Sequence, residues 1–111
     1  MKIFTDDEMN ALLPSVRPYS VAILRPRQQL GTEGSKAIIW EHGRRKLRAA
    51  HDGVMAIVLP MAEGSEVCSI CVFSGTVEET TPIMNHDPGV RAGVFTFEVH
   101  RRGGFPGDTL P

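Results

Sequence analysis

Four short β-leaning runs alternate with two helical segments in a fixed order, and that order limits what this chain can fold into. The runs are "YSVAIL" (19–24), "VMAIVLP" (54–60), "EVCSICVF" (66–73) and "GVFTFEVH" (93–100). They are rich in the β-branched and aromatic residues that suit a pleated surface. Between the first two, residues 35–50 change to a helical repeat. Trp40, Gly43, Leu47 and Ala50 recur at the spacing of one helix face, which predicts an apolar stripe turned toward the core. Gly53 is placed to stop that helix. Between the last two runs, "TVEETTPIMNH" (76–86) opens with Thr76 and Glu79, the spacing of a capping box, and predicts a second, shorter helix with Pro82 inside it. "EGS" (63–65) supplies the turn of a hairpin between the two middle runs.

The resulting order, β-α-β-β-α-β, predicts an α+β fold of ferredoxin-like type, an antiparallel sheet with two helices on one face. Thr5 and Glu8 repeat the capping-box spacing and predict a short helix near 6–13 ahead of this unit. The chain thus divides into an N-terminal extension (1–18), one domain (19–100) and a Gly/Pro-rich tail (101–111). Two helices cover only one side of such a sheet. In the second run Val54, Ala56 and Val58 alternate with Met55, Ile57 and Leu59, so both faces are apolar. An apolar open face is an association surface, which predicts a homodimer, sheet against sheet, in a dimeric α+β barrel.

With 111 residues the chain fits one domain. A formal net charge of −1 gives no reason to expect a nucleic-acid partner. No run reaches the roughly 18 apolar residues of a membrane helix, and the acidic N-terminus is unlike a secretory signal. Two cysteines without an export signal make a cytoplasmic setting the expectation.

Of the four histidines, His51, His86 and His100 fall at element ends, where a cation is easily accommodated. His42 lies on the shoulder of the helical stripe, where an imidazole can border a cleft and exchange protons near neutral pH. A structural histidine bonded to a loop carbonyl is the plainer reading of the same position. Asp87 precedes Pro88, which pushes it out of helical geometry. Read as the end of the preceding helix, it sits on the unfavourable pole of the macrodipole, so a nearby donor is expected.

The segments "EHGRRKLRAAHDGVMAIVLP" (41–60) and "NHDPGVRAGVFTFEV" (85–99) resemble the YCII-related proteins, small dimeric ferredoxin-like α+β barrels. The likeness spans about residues 19–100. It rests on His42 early in the first helix, the helix-ending Gly53, Leu59-Pro60 after the second strand, then Asp87-Pro88, Val90 and Ala92-Gly93. The resemblance implies a His–Asp dyad formed by His42 and Asp87. It also implies a substrate site near Leu59 and Pro60, and cofactor-independent acid/base chemistry (isomerisation, elimination or hydrolysis) on a small cyclic molecule; Arg91, next to the Asp-Pro turn, is a candidate rim for an anionic substrate. Leu59 departs from the family's glycine, which predicts a reshaped pocket floor. The alternative is a non-catalytic dimeric domain that binds a small ligand or serves as an accessory.

Other signals carry less. In "CSIC" (68–71), cysteines three apart on a strand point to opposite faces, which favours core residues over a redox or metal pair. "RRKLR" (44–48) reads as a solvated helix face, or as a rim for an anionic substrate. No phosphate loop and no metal cluster is apparent, so no cofactor or metal is expected.

Overall fold

The computed structural model describes residues 1–60 and 64–111. The chain runs α1 (Asp6–Leu12), a 3-10 turn (Leu13–Ser15), β1 (Arg17–Pro26), α2 (Ser35–His51), β2 (Met55–Leu59), β3 (Ser69–Phe73), α3 (Val77–Asn85), α4 (Pro88–Arg91) and β4 (Phe95–Gly104). The fold is α+β with an open four-stranded sheet of order β2-β3-β1-β4. Every neighbouring pair is antiparallel. β1 and β2 therefore run the same way with β3 between them, and α2 is the crossover that joins them. The hairpin turn expected at 63–65 lies partly outside the described residues. Gly64 within it has φ of 76°, a conformation that favours glycine. Among the described residues no helix is long and apolar enough to cross a membrane.

Both expected capping boxes form, at Thr5–Glu8 and Thr76–Glu79. Gly53 has φ of 76° and ends α2, with Val54 N donating to the Ala49 carbonyl across the turn. β1 and β4 are longer than their apolar runs because they pair with each other from Arg17↔Gly104 to Pro26↔Phe95. Backbone pairing carries the ladder past residue 100, so His100 is inside a strand rather than at its end.

α2, α3 and α4 cover one face of the sheet. That face gives the core: Ala22, Leu24, Cys71, Phe73 and Phe95 from the strands, with Met55, Met84 and Val94 around them. Ser20 and Thr80 are fully buried there and share a hydrogen bond of 2.7 Å. On α2 the expectation fails. Trp40 is 71% exposed and Leu47 68%. The buried face instead carries Ser35, His42 and Lys46. This polar face is tolerated inside because His42 and Lys46 find partners on α4 and β3.

The opposite sheet face has two halves. Ile57, Leu59, Ile70, Val72, Val21 and Ile23 make an apolar half, placed by the pairs Ile57↔Val72, Leu59↔Ile70, Val21↔Val72 and Ile23↔Ile70. An irregularity between Met55 and Ile57 breaks the simple alternation of β2. The half along β4 is polar. Arg25 donates to Glu98 through Nε (3.1 Å) and Nη2 (2.7 Å), and Glu98 Oε2 lies 3.0 Å from His100 Nε2. The tail turns back beside this face, where Phe105 and Gly107 border a hollow of about 270 Å³ with Val21, Ile57 and Val72.

The buried Ser20–Thr80 pair yields a stability prediction. Thr80→Val strands the Ser20 hydroxyl and costs about 1–3 kcal/mol, whereas the double change Ser20→Ala/Thr80→Val removes both polar groups and costs less than the single one. Urea unfolding of the three proteins, with equal slopes, checks this.

Candidate active site

Asp87 and His42 meet although they are 45 residues apart in sequence. His42 Nδ1 lies 2.7 Å from Asp87 Oδ1 and 2.8 Å from Oδ2. His42 is 6% exposed and Asp87 3%. The local cause is α4, which the sequence reading missed. His86 closes α3 as its C-cap, with its Nδ1 donating to the Pro82 carbonyl (2.7 Å). Asp87 then starts a new helical turn as its N-cap, with Pro88 in the first position. Asp87 Oδ2 accepts from Gly89 N (2.9 Å) and Val90 N (3.1 Å). The expectation that Asp87 stands at the unfavourable end of a helix is therefore corrected: it occupies the N-terminus of the next one, where a carboxylate is favoured. Asp-Pro is itself an N-cap signature, and it was the signal available for finding α4.

Gly89 and Phe95 complete the holder. A Cβ on Gly89 would fall 2.6 and 2.7 Å from Phe95 ring carbons and 3.0 Å from Asp87 Oδ2. Glycine is what lets the α4 turn close onto the ring. The same ring packs against His42, with centroids 4.8 Å apart and planes tilted by 44°. Thus the imidazole is gripped by Asp87 on one edge and Phe95 on one face.

The electrostatics define the tautomer. Burial alone would raise the Asp87 carboxyl. The hydrogen bond and charge of His42, with the Val90 and Gly89 N–H groups, outweigh it and hold the carboxyl below its ordinary value. An ionised carboxylate only accepts, so His42 Nδ1 carries the proton and the neutral ring has its lone pair on Nε2. Nε2 has no hydrogen-bond partner among the described residues.

Cations surround the pair. Arg45 Nη1 donates to the Ile83 carbonyl (2.7 Å) and stands 3.9 Å from Asp87 Oδ1. Lys46, 8% exposed, donates to Ser69 Oγ, which donates in turn to the Leu59 carbonyl (2.9 Å). No carboxylate pairs with Lys46 among the described residues. Asp87, Arg45 and Lys46 line a cleft of about 310 Å³ with Arg48, Ala49 and Ile83, whereas His42 does not line it. Arg45 and Lys46 fall within the 44–48 run, for which a rim for an anionic substrate is the alternative reading, while Ser69 has no such signal in the sequence. The repeat that places Lys46 four residues after His42, on one helix face, was the clue to it.

The remaining predicted site residues lie elsewhere. Leu59 pairs with Ile70, which puts its side chain on the open sheet face, and only its carbonyl reaches toward Lys46 through Ser69. Pro60 is exposed beyond the end of β2. Arg91 ends α4 and lines a separate hollow with Arg27, Gln29 and Gly93. Cys68 and Cys71 are both buried and free, and burial pushes the Cys68 thiol up, which keeps it protonated.

No protein-family model and no curated protein matches this chain.

Acid titration tests the Asp87 environment. Unfolded, the carboxyl titrates near its ordinary 3.8; folded, it titrates lower. The fold binds this proton less tightly than the unfolded chain, so the stabilisation is complete above the ordinary value. It is lost as pH falls through the lowered one. Urea midpoints followed from pH 7 down to pH 2 lose this component in the native protein and lack it in Asp87→Asn.

Proposed function

We propose that this chain is a YCII-related protein that carries out proton transfer on a small cyclic molecule, without a cofactor, through His42 and Asp87. The observation that carries the reading is the two-oxygen contact between His42 Nδ1 and a carboxylate itself held by two backbone N–H groups. In this reading Nε2 is the base. It takes a proton from an acidic C–H of the substrate, and Asp87 stabilises the imidazolium that results. The proton then returns to another atom of the substrate, which is an isomerisation, or a leaving group departs, which is an elimination. With water as the proton donor, the same base drives hydrolysis. Arg45 and Lys46 line the cleft that Asp87 borders and supply positive charge to a substrate that extends from there to Nε2.

The strand order β2-β3-β1-β4 is the one a ferredoxin-like unit has, which supports the fold assigned to the family. We place a second copy against the apolar half of the open sheet face, formed by Val21, Ile23, Ile57, Leu59, Ile70 and Val72, to give a homodimer. Two free, buried cysteines suit a reducing, cytoplasmic setting.

One observation favours a second reading. Asp87 already has a structural duty as the cap of α4, so His42–Asp87 serves equally as a brace in a ligand-binding or accessory domain. Turnover separates the two. In a screen of small cyclic enols and lactones, His42→Ala and Asp87→Asn lower the rate on the accepted substrate by about 10²–10⁴-fold. Asp87→Asn is the sharper probe, because an amide N–H facing Nδ1 demands the opposite tautomer. Equal rates in the native protein and both variants contradict the catalytic reading and leave the brace.

A further inference from the structure

Among the described residues, the N-terminal arm packs little on the rest of the chain. α1 meets little besides the 3-10 turn that follows it, and none of its residues is buried. The arm is nevertheless well built. Its capping box is complete, Lys2 bonds Glu8, and Lys2 stands 4.8 Å over the Phe4 ring. The molecule as a whole is elongated. The radius of gyration is 16.4 Å and the long axis 56 Å, against about 13 Å for the gyration radius of a compact chain of this length. Met9, Leu12 and Leu13 recur at i, i+3 and i+4, so a formed amphipathic edge stands in solvent.

The body carries a surface of matching character. On the outer side of α2, Trp40 and Leu47 are exposed large apolar residues two turns apart. Gly43 lies between them, inside a seventeen-residue helix. No atom from elsewhere in the chain comes within 4 Å of where its Cβ would be. A glycine loosens a helix interior, and none of the described residues fills the space it leaves. Trp40, the Gly43 notch and Leu47 form a shallow seat that admits another helix closely. The charges also match. The arm presents Asp6 and Asp7, which have no ion-pair partner among the described residues, while the seat is flanked by Lys36, Arg44 and Arg48. Of these, Arg44 is shared with Glu41 (3.2 Å) and Arg48 with Asp52 (3.8 Å), and Lys36 has no partner among the described residues.

We propose that the N-terminal arm of one copy docks across the Trp40–Gly43–Leu47 seat on α2 of a second copy of this chain. The occupant is a second copy because the same chain supplies both an exposed apolar helix edge flanked by Asp6 and Asp7 and an exposed apolar seat flanked by Lys36, and α1 and α2 make at most slight contact among the described residues. The contact is distinct from the open sheet face and does not depend on the proposed chemistry. It bears on the same helix, however: α2 holds His42 inside and receives the arm outside.

The test uses the full chain with a benzoylphenylalanine photocrosslinker installed at Leu12. Unlabelled and ¹⁵N-labelled protein are mixed, illuminated and mapped by peptide mass. The expected product joins position 12 of one chain to the 40–47 segment of the other, in mixed-isotope pairs. Trp40→Asp and Leu47→Asp, both at solvent-exposed positions, each abolish that product, and sedimentation velocity shows a smaller species. A product within one chain, a product at another segment, no product at 100 μM protein, or an undiminished product in both Asp variants overturns the proposal.

Discussion

An ionised carboxylate buried to 3% exposure is tolerated only if its oxygens are fully engaged, and much of this structure is arranged to engage those of Asp87. One oxygen receives two backbone N–H groups of α4, both face His42 Nδ1, and Arg45 stands 3.9 Å away. Each donor comes from a definite element. α2 brings His42 and Arg45, and the Asp-Pro turn creates α4. Gly89 lets that turn close on Phe95, and Phe95 fixes the imidazole plane. Remove the carboxylate and α2 and α4 lose the group they share.

Much of this was legible in the chain, through particular residues. The strand and helix order follows from apolar periodicity and two capping boxes, and both boxes form with both of their hydrogen bonds. His42 and Asp87 were singled out, and they meet. What periodicity could not give was the orientation of α2. The apolar stripe Trp40/Gly43/Leu47/Ala50 suggested the core face, yet the buried face holds Ser35, His42 and Lys46. A hydrophobic pattern assigns the inward side only when the interior is apolar. Here His42 has Asp87 and Lys46 has Ser69, and such partners belong to the tertiary structure, out of reach of a local pattern. The reading of Asp87 erred for a similar reason. It was referred to the helix behind it, while its hydrogen bonds go to the residues ahead.

α2 consequently has two unlike sides. Its inner side is polar and paired with the site; its outer side carries apolar residues that its own chain leaves open. The sheet shows a comparable split, with an apolar half along β2, β3 and β1 and a charged network of Arg25, Glu98 and His100 along β4. A chain of 111 residues has little interior, and both features leave part of its apolar surface exposed.

The central claim is that Asp87 holds His42 in the Nδ1–H form and leaves Nε2 as the proton acceptor. Long-range ¹H–¹⁵N correlation spectra of the imidazole read this directly, recorded at a pH where the ring is neutral. The account predicts a protonated Nδ1 and an unprotonated Nε2 for His42, with the pattern reversed in Asp87→Asn. A His42 ring protonated at Nε2 in the native protein, or a pattern unchanged by Asp87→Asn, contradicts it.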